Sequence, residues 1–413
     1  MNISTISIGD ELVFGEVVDT NSARIAERLY TAGFKVQRHL TVGDVESDIT
    51  EAVRTLAGES EAVIVTGGLG PTADDITAMA AAKAAARRLV LNEEALAHVK
   101  VVTGKLGDSA FPLNEKQALL PAGATVIPNP TGTACGFHLT CGGCSLFFLP
   151  GVPNEMIRML DESVIPFIQQ KWKQRRFIRT RVLKVFGPSE AEVNSLVKGV
   201  AAPDAGVTVA FCVNFPEILV KLRAEGDDER HVAEALDRAG EKARQKLQGY
   251  LFAEDDDTID SVVAALFRTK GVTLSLAESC TGGMVAKRIT DIPGSSAYFL
   301  EGVVTYSNAA KMRTLDVSPR LLEEKGAVSS EVALAMARGM RNLSGSDIAL
   351  AVTGIAGPEG GSAEKPVGTV FIALAGRSGC RATKYNFFGD REEVRTIASF
   401  TAMDWLRRHL LSL

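Results

Sequence analysis

Three short runs of mostly apolar residues constrain the fold of this 413-residue chain more than any other feature. They cover residues 62–65, 272–276 and 348–352, and each leads directly into a glycine-rich polar turn. Runs of this length and composition are typical of strands buried on both faces in a parallel sheet. Helical spacing follows the first two turns. The sequence therefore predicts α/β domains whose sites lie at the carboxyl ends of the strands.

The length of the chain predicts two or three domains. Strands alternate with helices near both ends of the sequence, which predicts two three-layer α/β domains. Between them, the order strand, helix, strand, strand, helix predicts a small α+β unit. The predicted domains are 1–170, 177–250 and 256–413.

Composition excludes several classes of function. A net charge of −5 provides no basic surface for nucleic acid, so we expect no nucleic-acid partner. No apolar run approaches the ~20 residues that a membrane span needs, and the first residues lack the basic start of a secretory signal. Six scattered cysteines indicate reduced thiols and a cytoplasmic location. We therefore expect small-molecule partners and no membrane.

The turn at residues 277–283 (AESCTGG) has the outline of an active site. Ser279 is a candidate nucleophile, and the amides of the opening helix could bind a phosphate or an oxyanion. Glycines let the backbone approach a ligand closely. The alternative is an ordinary serine or threonine helix cap beside a glycine turn. Cys280 is either a second candidate nucleophile or a small core residue.

A serine nucleophile needs a base, and the usual base is histidine. The last domain contains only His409, in its closing helix, so a Ser-His-Asp triad is poorly supported. Lys311 and Tyr306 are the other candidates, because a buried lysine with a lowered pKa can activate serine. Lys311 could equally be a surface lysine. Arg391, near a helix start, could hold a phosphate or carboxylate.

The first glycine-rich turn, residues 66–75 (TGGLGPTADD), carries a different set of groups. Its glycine amides could cradle a phosphate. Asp74 and Asp75 offer hard oxygen ligands that could hold a divalent cation. The alternative is a plain helix start, where aspartate is favourable without any ligand.

These motifs resemble those of the CinA family over essentially the whole chain. Residues 66–75, with GDEL at 9–12 and PGVPNEM at 150–156, are similar to its N-terminal domain, which is of the molybdopterin-binding-like MoaB/MogA type. The middle unit resembles the family's KH-like insert. The C-terminal domain, which also occurs alone as the deamidase PncC, is matched by AESCTGG at 277–283, VTYSNAAK at 304–311, TGIAGP at 353–358 and GDR at 389–391.

The resemblance implies that the C-terminal domain hydrolyses the carboxamide of nicotinamide mononucleotide, giving nicotinic acid mononucleotide and ammonia without a cofactor. The family's nucleophile falls on Ser279, and its tyrosine and lysine fall on Tyr306 and Lys311. From the turn itself, rather than from the resemblance, we expect backbone amides of residues 281–283 to hold the oxyanion. The expected substrate contacts are Glu278, Thr281, Gly282, Gly283, Thr353, Gly354, Gly357 and Arg391.

For the N-terminal domain the resemblance implies a metal-dependent ADP-ribose pyrophosphatase that releases AMP and ribose 5-phosphate. The alternative is a pterin- or nucleotide-binding module without turnover. A homodimer and a role in pyridine nucleotide recycling also follow from the resemblance alone. The candidate ligands for Mg, Mn or Co are Asp10, Asp44, Asp74 and Asp75, and the candidate nucleotide contacts are Asn21, Gly67, Gly68, Gly70 and Thr72.

Overall fold

The computed structural model describes residues 1–104, 113–173, 176–201, 206–377 and 379–413. It divides into two compact units. The first is Met1–Arg179 with Ala224–Glu234, and the second is Thr180–Arg223 with Ala235–Leu413.

The described part of the chain contains the following strands and helices. The strands are β1 (Ile3–Ile8), β2 (Val36–Val42), β3 (Ala62–Thr66), β4 (Leu89–Leu91), β5 (Leu119–Pro121), β6 (Thr125–Ile127), β7 (Gly136–Cys141), β8 (Cys144–Leu149), β9 (Phe177–Val185), β10 (Val207–Asn214), β11 (Glu217–Gly226), β12 (Leu251–Glu254), β13 (Leu274–Glu278), β14 (Phe299–Val304), β15 (Ile348–Gly354), β16 (Thr369–Gly376) and β17 (Gly379–Asn386). The α-helices are α1 (Asp10–Val13), α2 (Thr20–Thr31), α3 (Glu46–Glu59), α4 (Thr77–Ala84), α5 (Glu93–Thr103), α6 (Pro153–Met159), α7 (Ile165–Trp172), α8 (Glu190–Leu196), α9 (Glu229–Lys246), α10 (Ile259–Lys270), α11 (Met284–Thr290), α12 (Asn308–Leu315), α13 (Pro319–Lys325), α14 (Ser330–Ser344) and α15 (Arg391–Leu411). Short 3₁₀ segments lie at Glu115–Ala118 and Ser295–Ala297, and a π-helical turn at Leu160–Val164 joins α6 to α7.

A six-stranded sheet in the order β2-β1-β3-β8-β7-β6 forms the centre of the first unit. Strands β1, β2, β3 and β8 run parallel, and β7 and β6 are antiparallel. One apolar cluster joins one face to α3 and α4, and another joins the opposite face to α2, α6 and α7. This is a three-layer α/β domain. The turns after β1, β3 and β8 therefore lie at one edge of the sheet.

A four-stranded sheet in the order β10-β11-β9-β12 belongs to the small α+β unit, together with α8 and α9. Ser189 begins α8 with a reciprocal capping box to Glu192. The sequence predicts the order β9, α8, β10, β11 and α9, but it misses β12, which lies beyond the predicted unit.

The second three-layer domain is built on a five-stranded sheet in the order β14-β13-β15-β16-β17. Strands β13, β14 and β15 run parallel, and β16 and β17 are antiparallel. Apolar clusters pack α10, α11 and α15 on one face and α12, α13 and α14 on the other. The α/β prediction is confirmed for both domains. The three parallel strands end at one edge, which brings together the turns that begin at residues 279, 305 and 355.

No helix in the described ranges is long and apolar enough to cross a membrane.

Candidate active site

Ser279 lies in a tight turn between the buried strand β13 and α11. Its amide donates to the carbonyl of Val352 at 3.0 Å, which fixes the turn against β15. The carbonyl of Ser279 accepts the amide of Gly282 at 3.0 Å. Gly282 and Gly283 adopt φ values of 63° and 94°, a region that glycine enters without strain. The hydroxyl is thus held on a rigid support at the carboxyl edge of the sheet.

Lys311 is buried and directed at that hydroxyl. Its side chain is 1 % exposed, so the surface-lysine alternative is wrong. The amine Nζ lies 3.0 Å from Ser279 Oγ and donates to the carbonyl of Thr305 at 2.7 Å. Ser307 caps α12 by accepting the amide of Ala310, which places Lys311 in the first turn of that helix. Burial lowers the pKa of Lys311, which favours the neutral amine that a base requires.

Cys280, the other candidate nucleophile, is part of the core. It is 6 % exposed and packs in the apolar cluster beneath α10, α11 and α15. Burial raises the pKa of its thiol to about 12, so the thiol stays protonated at neutral pH. The chemistry of the turn therefore favours the hydroxyl of Ser279.

Glu278 is committed to its own helix. Its buried carboxylate accepts the amides of Gly283 at 3.0 Å, Val285 at 3.2 Å and Ala286 at 2.8 Å. A carboxylate at a helix N-terminus is stabilised by the helix dipole and by the otherwise unpaired amides. The Glu278 carboxylate already occupies the N-terminus of α11, so this terminus is not an open anion site as the sequence suggested. The same hydrogen bonds leave Glu278 in a capping role instead of the predicted substrate contact.

The predicted oxyanion donors also need correction. The amide of Gly282 is engaged by Ser279, and that of Gly283 by Glu278. Within the described ranges, the amides of Cys280 and Thr281 donate to no oxygen. These two amides follow Ser279 directly; both also act on the Cys280 sulfur, where they lower the pKa against the larger effect of burial.

Arg391 connects the other two turns at this edge. Its guanidinium donates to the hydroxyl of Tyr306 at 2.9 Å and to the carbonyl of Gly357 at 2.7 Å. Tyr306 is 59 % exposed, and in the described residues its hydroxyl bonds neither Ser279 nor Lys311. Arg391 and Tyr306 thus form a polar rim, distinct from the buried serine–lysine pair.

Thr353 and Gly354 support the site from inside the sheet. The hydroxyl of Thr353, which is 1 % exposed, donates to the carbonyl of Ala327 at 2.9 Å. A Cβ at Gly354 would lie 2.7 Å from Val370 Cγ2, so glycine is needed for close packing against β16. Both residues thus pack within the fold, and their contact with substrate stays a prediction.

In the first unit, a cavity of about 180 Å³ lies at the carboxyl ends of β1 and β3. Asn21 lines it and donates to the carbonyl of Gly151 at 2.8 Å and to Thr66 Oγ1 at 3.3 Å. Its Oδ1 atom is buried and has no partner among the described residues. Gly67 forms another part of the wall. The turns after β1, β3 and β8 therefore meet at this cavity, close to the Oδ1 atom of Asn21.

The four aspartates predicted as metal ligands do not form one ligand set. Asp10 and Asp44 accept each other's amides, both at 3.0 Å, and burial raises the pKa of Asp44. Asp75 accepts the amide and hydroxyl of Thr72 at 2.8 and 2.6 Å, and Asp74 is exposed. No group of three or more metal-binding side chains occurs in the described ranges. Because the residues do not fit a metal site here, we derive no step through a metal.

Family models match almost the entire chain. The CinA C-terminal domain matches residues 256–410, the damage-inducible protein CinA KH domain residues 180–253, and a probable molybdopterin binding domain residues 4–170. A CinA-like protein of Geotalea uraniireducens is 70% identical, with 100% of this chain and 98% of the relative covered. The chain belongs to the CinA family.

Further members of the CinA family are similar over part or all of the chain. A CinA-like protein of Geobacter sulfurreducens is 57% identical, and the match covers 100% of both chains. A crystal structure of a CinA superfamily protein from Klebsiella pneumoniae is 37% identical, with 38% of this chain and 97% of that one covered, at a TM-score of 0.37.

Arg395 is a residue of this CinA family member that the sequence did not single out. Its guanidinium donates to the carbonyl of Thr281 at 3.0 Å, and a Cβ at Gly282 would lie 3.3 Å from Arg395 Nη2. It therefore braces the turn that carries the serine. The available signal was its spacing, because residues i and i+4 share one face of a helix and Arg391 precedes it by four.

We expect Glu278→Gln to destabilise the C-terminal domain of this CinA family member. The amide group of glutamine would face three backbone donors with one oxygen, which costs about 2 kcal/mol in free energy of unfolding. Urea unfolding, followed by Trp405 fluorescence in a Trp172→Phe background, measures the change, since these are the two tryptophans of the chain. Glu323→Gln, at an exposed position in the same domain, is the control and should leave the midpoint in place. An equal midpoint for both variants would contradict the capping role.

Proposed function

We propose that the C-terminal domain is an amidohydrolase that converts nicotinamide mononucleotide and water into nicotinic acid mononucleotide and ammonia. The observation that carries the proposal is the 3.0 Å contact between Lys311 Nζ and Ser279 Oγ in a buried pair. Burial keeps the thiol of Cys280 protonated, and in the described residues the hydroxyl of Ser279 bonds Lys311 and no histidine, so this pair supplies the nucleophile and the base.

In the acylation step, neutral Lys311 takes the hydroxyl proton of Ser279 while Oγ attacks the carboxamide carbon. The carbonyl electrons move onto oxygen, and the amides of Cys280 and Thr281 stabilise the resulting oxyanion. The ammonium of Lys311 then protonates the leaving nitrogen as the C–N bond breaks. Ammonia departs and an ester to Ser279 remains.

In the deacylation step, Lys311 takes a proton from water, and the hydroxide attacks the ester carbon. The bond to Ser279 Oγ breaks, and the lysine ammonium returns its proton to that oxygen. The carbonyl of Thr305 accepts one N–H of the amine at 2.7 Å, which orients Nζ toward the serine. The cycle restores both residues and needs no cofactor.

We expect Arg391→Met to weaken binding of the substrate phosphate. Among the described residues, two of its five N–H donors are engaged, by Tyr306 and Gly357, and the other three are open to an anion. Loss of charge-assisted hydrogen bonds should raise KM for nicotinamide mononucleotide about tenfold to hundredfold and change kcat much less. Steady-state kinetics with nicotinamide mononucleotide and with nicotinamide riboside measure the effect.

The riboside lacks the phosphate, so its kinetics should not respond to Arg391→Met. Arg320→Met is the matched control, because this arginine is 84% exposed and pairs with Glu324 one turn away on its own helix. A rise in KM of equal size for both substrates would assign Arg391 to the turns at the rim and remove its phosphate-binding role.

The proposal is tested by ammonia release from nicotinamide mononucleotide by the full-length protein, without added metal. Release of ammonia with one equivalent of nicotinic acid mononucleotide supports it. No turnover would mean that the pair acts on another amide or that the site only binds nucleotide.

A second candidate function belongs to the N-terminal domain, namely hydrolysis of ADP-ribose to AMP and ribose 5-phosphate. It is favoured because Gly67 lines the 180 Å³ cavity beside Asn21 and the neighbouring Gly68 lines a second cavity of about 280 Å³, so a two-ended ligand joined by a diphosphate would fit across this turn. Calorimetry with ADP-ribose beside a product assay separates catalysis from a pterin- or nucleotide-binding module. Binding without products would support the module.

A further inference from the structure

The five-stranded sheet of the C-terminal domain has a cavity of about 260 Å³ at the edge opposite the serine–lysine pair. Val272 lines it just before β13, and Ile348 lines it at the start of β15. Gly376 ends the antiparallel strand β16, which brings Arg377 to the same edge. Because Ser279 follows the other end of β13, the five residues of that strand, about 17 Å of extended chain, lie between this cavity and the catalytic turn.

His409 is the buried imidazole of this cavity. It lies on α15, lines the cavity and is 9 % exposed. A Cβ at Gly376 would lie 3.5 Å from His409 Nε2, which places that edge of the ring beside the strand end that leads into Arg377. In the described ranges neither ring nitrogen has a hydrogen-bond partner, and both retain solvent-accessible surface. Buried polar groups normally have a partner, so this ring is open to a ligand in the cavity.

Hydrogen-bond donors predominate around this imidazole. Lys270, in the last turn of α10, and Arg377 both line the cavity. Asp347 is the acidic side chain of the lining, and its carboxylate accepts the amide and hydroxyl of Thr273 at 3.0 and 2.9 Å. The same carboxylate accepts Arg377 Nη2 at 2.6 Å. In the part of the chain that the structure describes, Lys270 has no ion-pair partner, so its charge is available to a ligand.

The cavity also has an apolar side. Ile348 is 2 % exposed, whereas the side chain of Arg377 is 81 % exposed, so an apolar floor lies beneath a cationic rim. Burial and the positive charge of Arg381 lower the pKa of His409, which leaves the ring neutral at neutral pH with one donor and one acceptor. An apolar floor, a neutral N–H donor and two cations together suit an organic molecule with one anionic end.

We propose that this cavity binds a small organic anion whose charged group pairs with Lys270 and Arg377 and accepts a hydrogen bond from His409. The apolar body of the ligand packs on Val272 and Ile348. Carboxylates and phosphates share this chemistry, since both accept from ammonium, guanidinium and imidazole N–H groups. The site lies apart from the serine–lysine pair, so the proposal does not depend on the amidohydrolase function.

Benzoate, phenyl phosphate and benzamide test the assignment on the full-length protein. Benzamide has the shape of benzoate without its charge. Calorimetry measures the affinities, and NMR of protein labelled with ¹⁵N-histidine shows which of the five imidazoles responds. We expect at least one of the two anions to bind at least about tenfold tighter than benzamide, in line with a charge-assisted hydrogen bond, and to shift the ring signals of His409. The anion that binds tighter identifies the ligand group as carboxylate or phosphate.

Two variants assign the binding to individual side chains. Lys270→Met removes a cation of the rim and should weaken anion binding about tenfold, whereas Lys287→Met removes an exposed lysine that pairs with Asp291 and should leave it unchanged. His409→Phe keeps a flat ring without nitrogens and should weaken binding about three- to tenfold. Its missing ring signal also identifies the resonance. His231→Phe, at a side chain that is 82% exposed, is the matched control.

No binding of either anion, or equal affinity for the anions and benzamide, would overturn the assignment. Anion binding that leaves the ring signals of His409 in place would also overturn it, because the ligand would then lie elsewhere. An affinity that Lys270→Met does not change would remove the proposed charge pairing. The wild-type comparison needs no variant, so a His409→Phe protein that fails to fold leaves the test intact.

Discussion

Replacing Ser279 with alanine is expected to lower kcat for ammonia release from nicotinamide mononucleotide by at least about three powers of ten. The hydroxyl is the atom that forms the ester, and the turn offers no substitute. Cys280 is buried with a thiol pKa of about 12, and in the described residues no other side chain hydroxyl bonds Lys311. A discontinuous ammonia assay on the full-length variant, beside the wild type, measures the loss.

Two further variants test whether the loss of activity is specific to the hydroxyl of Ser279. Ser296→Ala removes an exposed hydroxyl in the same domain and should retain the wild-type rate. Cys280→Ala removes the buried thiol and should leave the ester-forming step in place. If Ser279→Ala released ammonia at the wild-type rate while Cys280→Ala did not, the nucleophile would be the thiol and the proposed mechanism would be wrong. Rapid denaturation during turnover should also trap an ester at Ser279 in the wild type.

The sequence was sufficient to predict the layers and the edge of the sheet at which the turns meet. Short apolar runs flanked by glycine predict strands of a parallel sheet, because such a sheet is covered on both faces and buries every side chain of the run. The turn after β13 shows where this reasoning stops. The pattern places Glu278 in a turn beside a ligand, whereas it is the last residue of the strand and caps α11. The Glu278 carboxylate accepts backbone amides up to eight residues later in the chain. These hydrogen bonds depend on the three-dimensional path of the turn, which the sequence pattern does not specify.

Lys311 illustrates the same limit for the catalytic pair. Sequence spacing left a surface position and a buried one equally favoured, because a lysine in the first turn of a short helix is compatible with either. Its burial depends on how α12 leaves β14 and on the packing of Leu315, Val317 and Met336. Arg395 was missed for a related reason. It supports the turn through a hydrogen bond to a backbone carbonyl that is distant in sequence.

Replacing Lys311 with methionine is expected to lower kcat by several powers of ten, because the base that activates Ser279 is lost. The pH dependence gives the sharper test. Only the neutral amine can accept the proton, so the wild-type rate should rise with pH through the pKa of Lys311 and fall as the amine becomes protonated. Burial lowers that pKa from its ordinary value of 10.5, so the rising part of the kcat–pH profile should lie below pH 10.5. A kcat–pH profile for each protein measures it.

Two further variants test whether Lys311 acts as a base or only as a positive charge. Lys311→Arg keeps a positive charge at this position but cannot lose its proton in the accessible range, so a base mechanism predicts no rescue. Lys287→Met removes an exposed lysine that pairs with Asp291 and should keep both the rate and the profile. Rescue by arginine would show that a fixed positive charge is enough, and Lys311 would then stabilise charge in the transition state. A pH limb that persisted unchanged in Lys311→Met would assign the titration to another group, and the serine–lysine mechanism would lose its base.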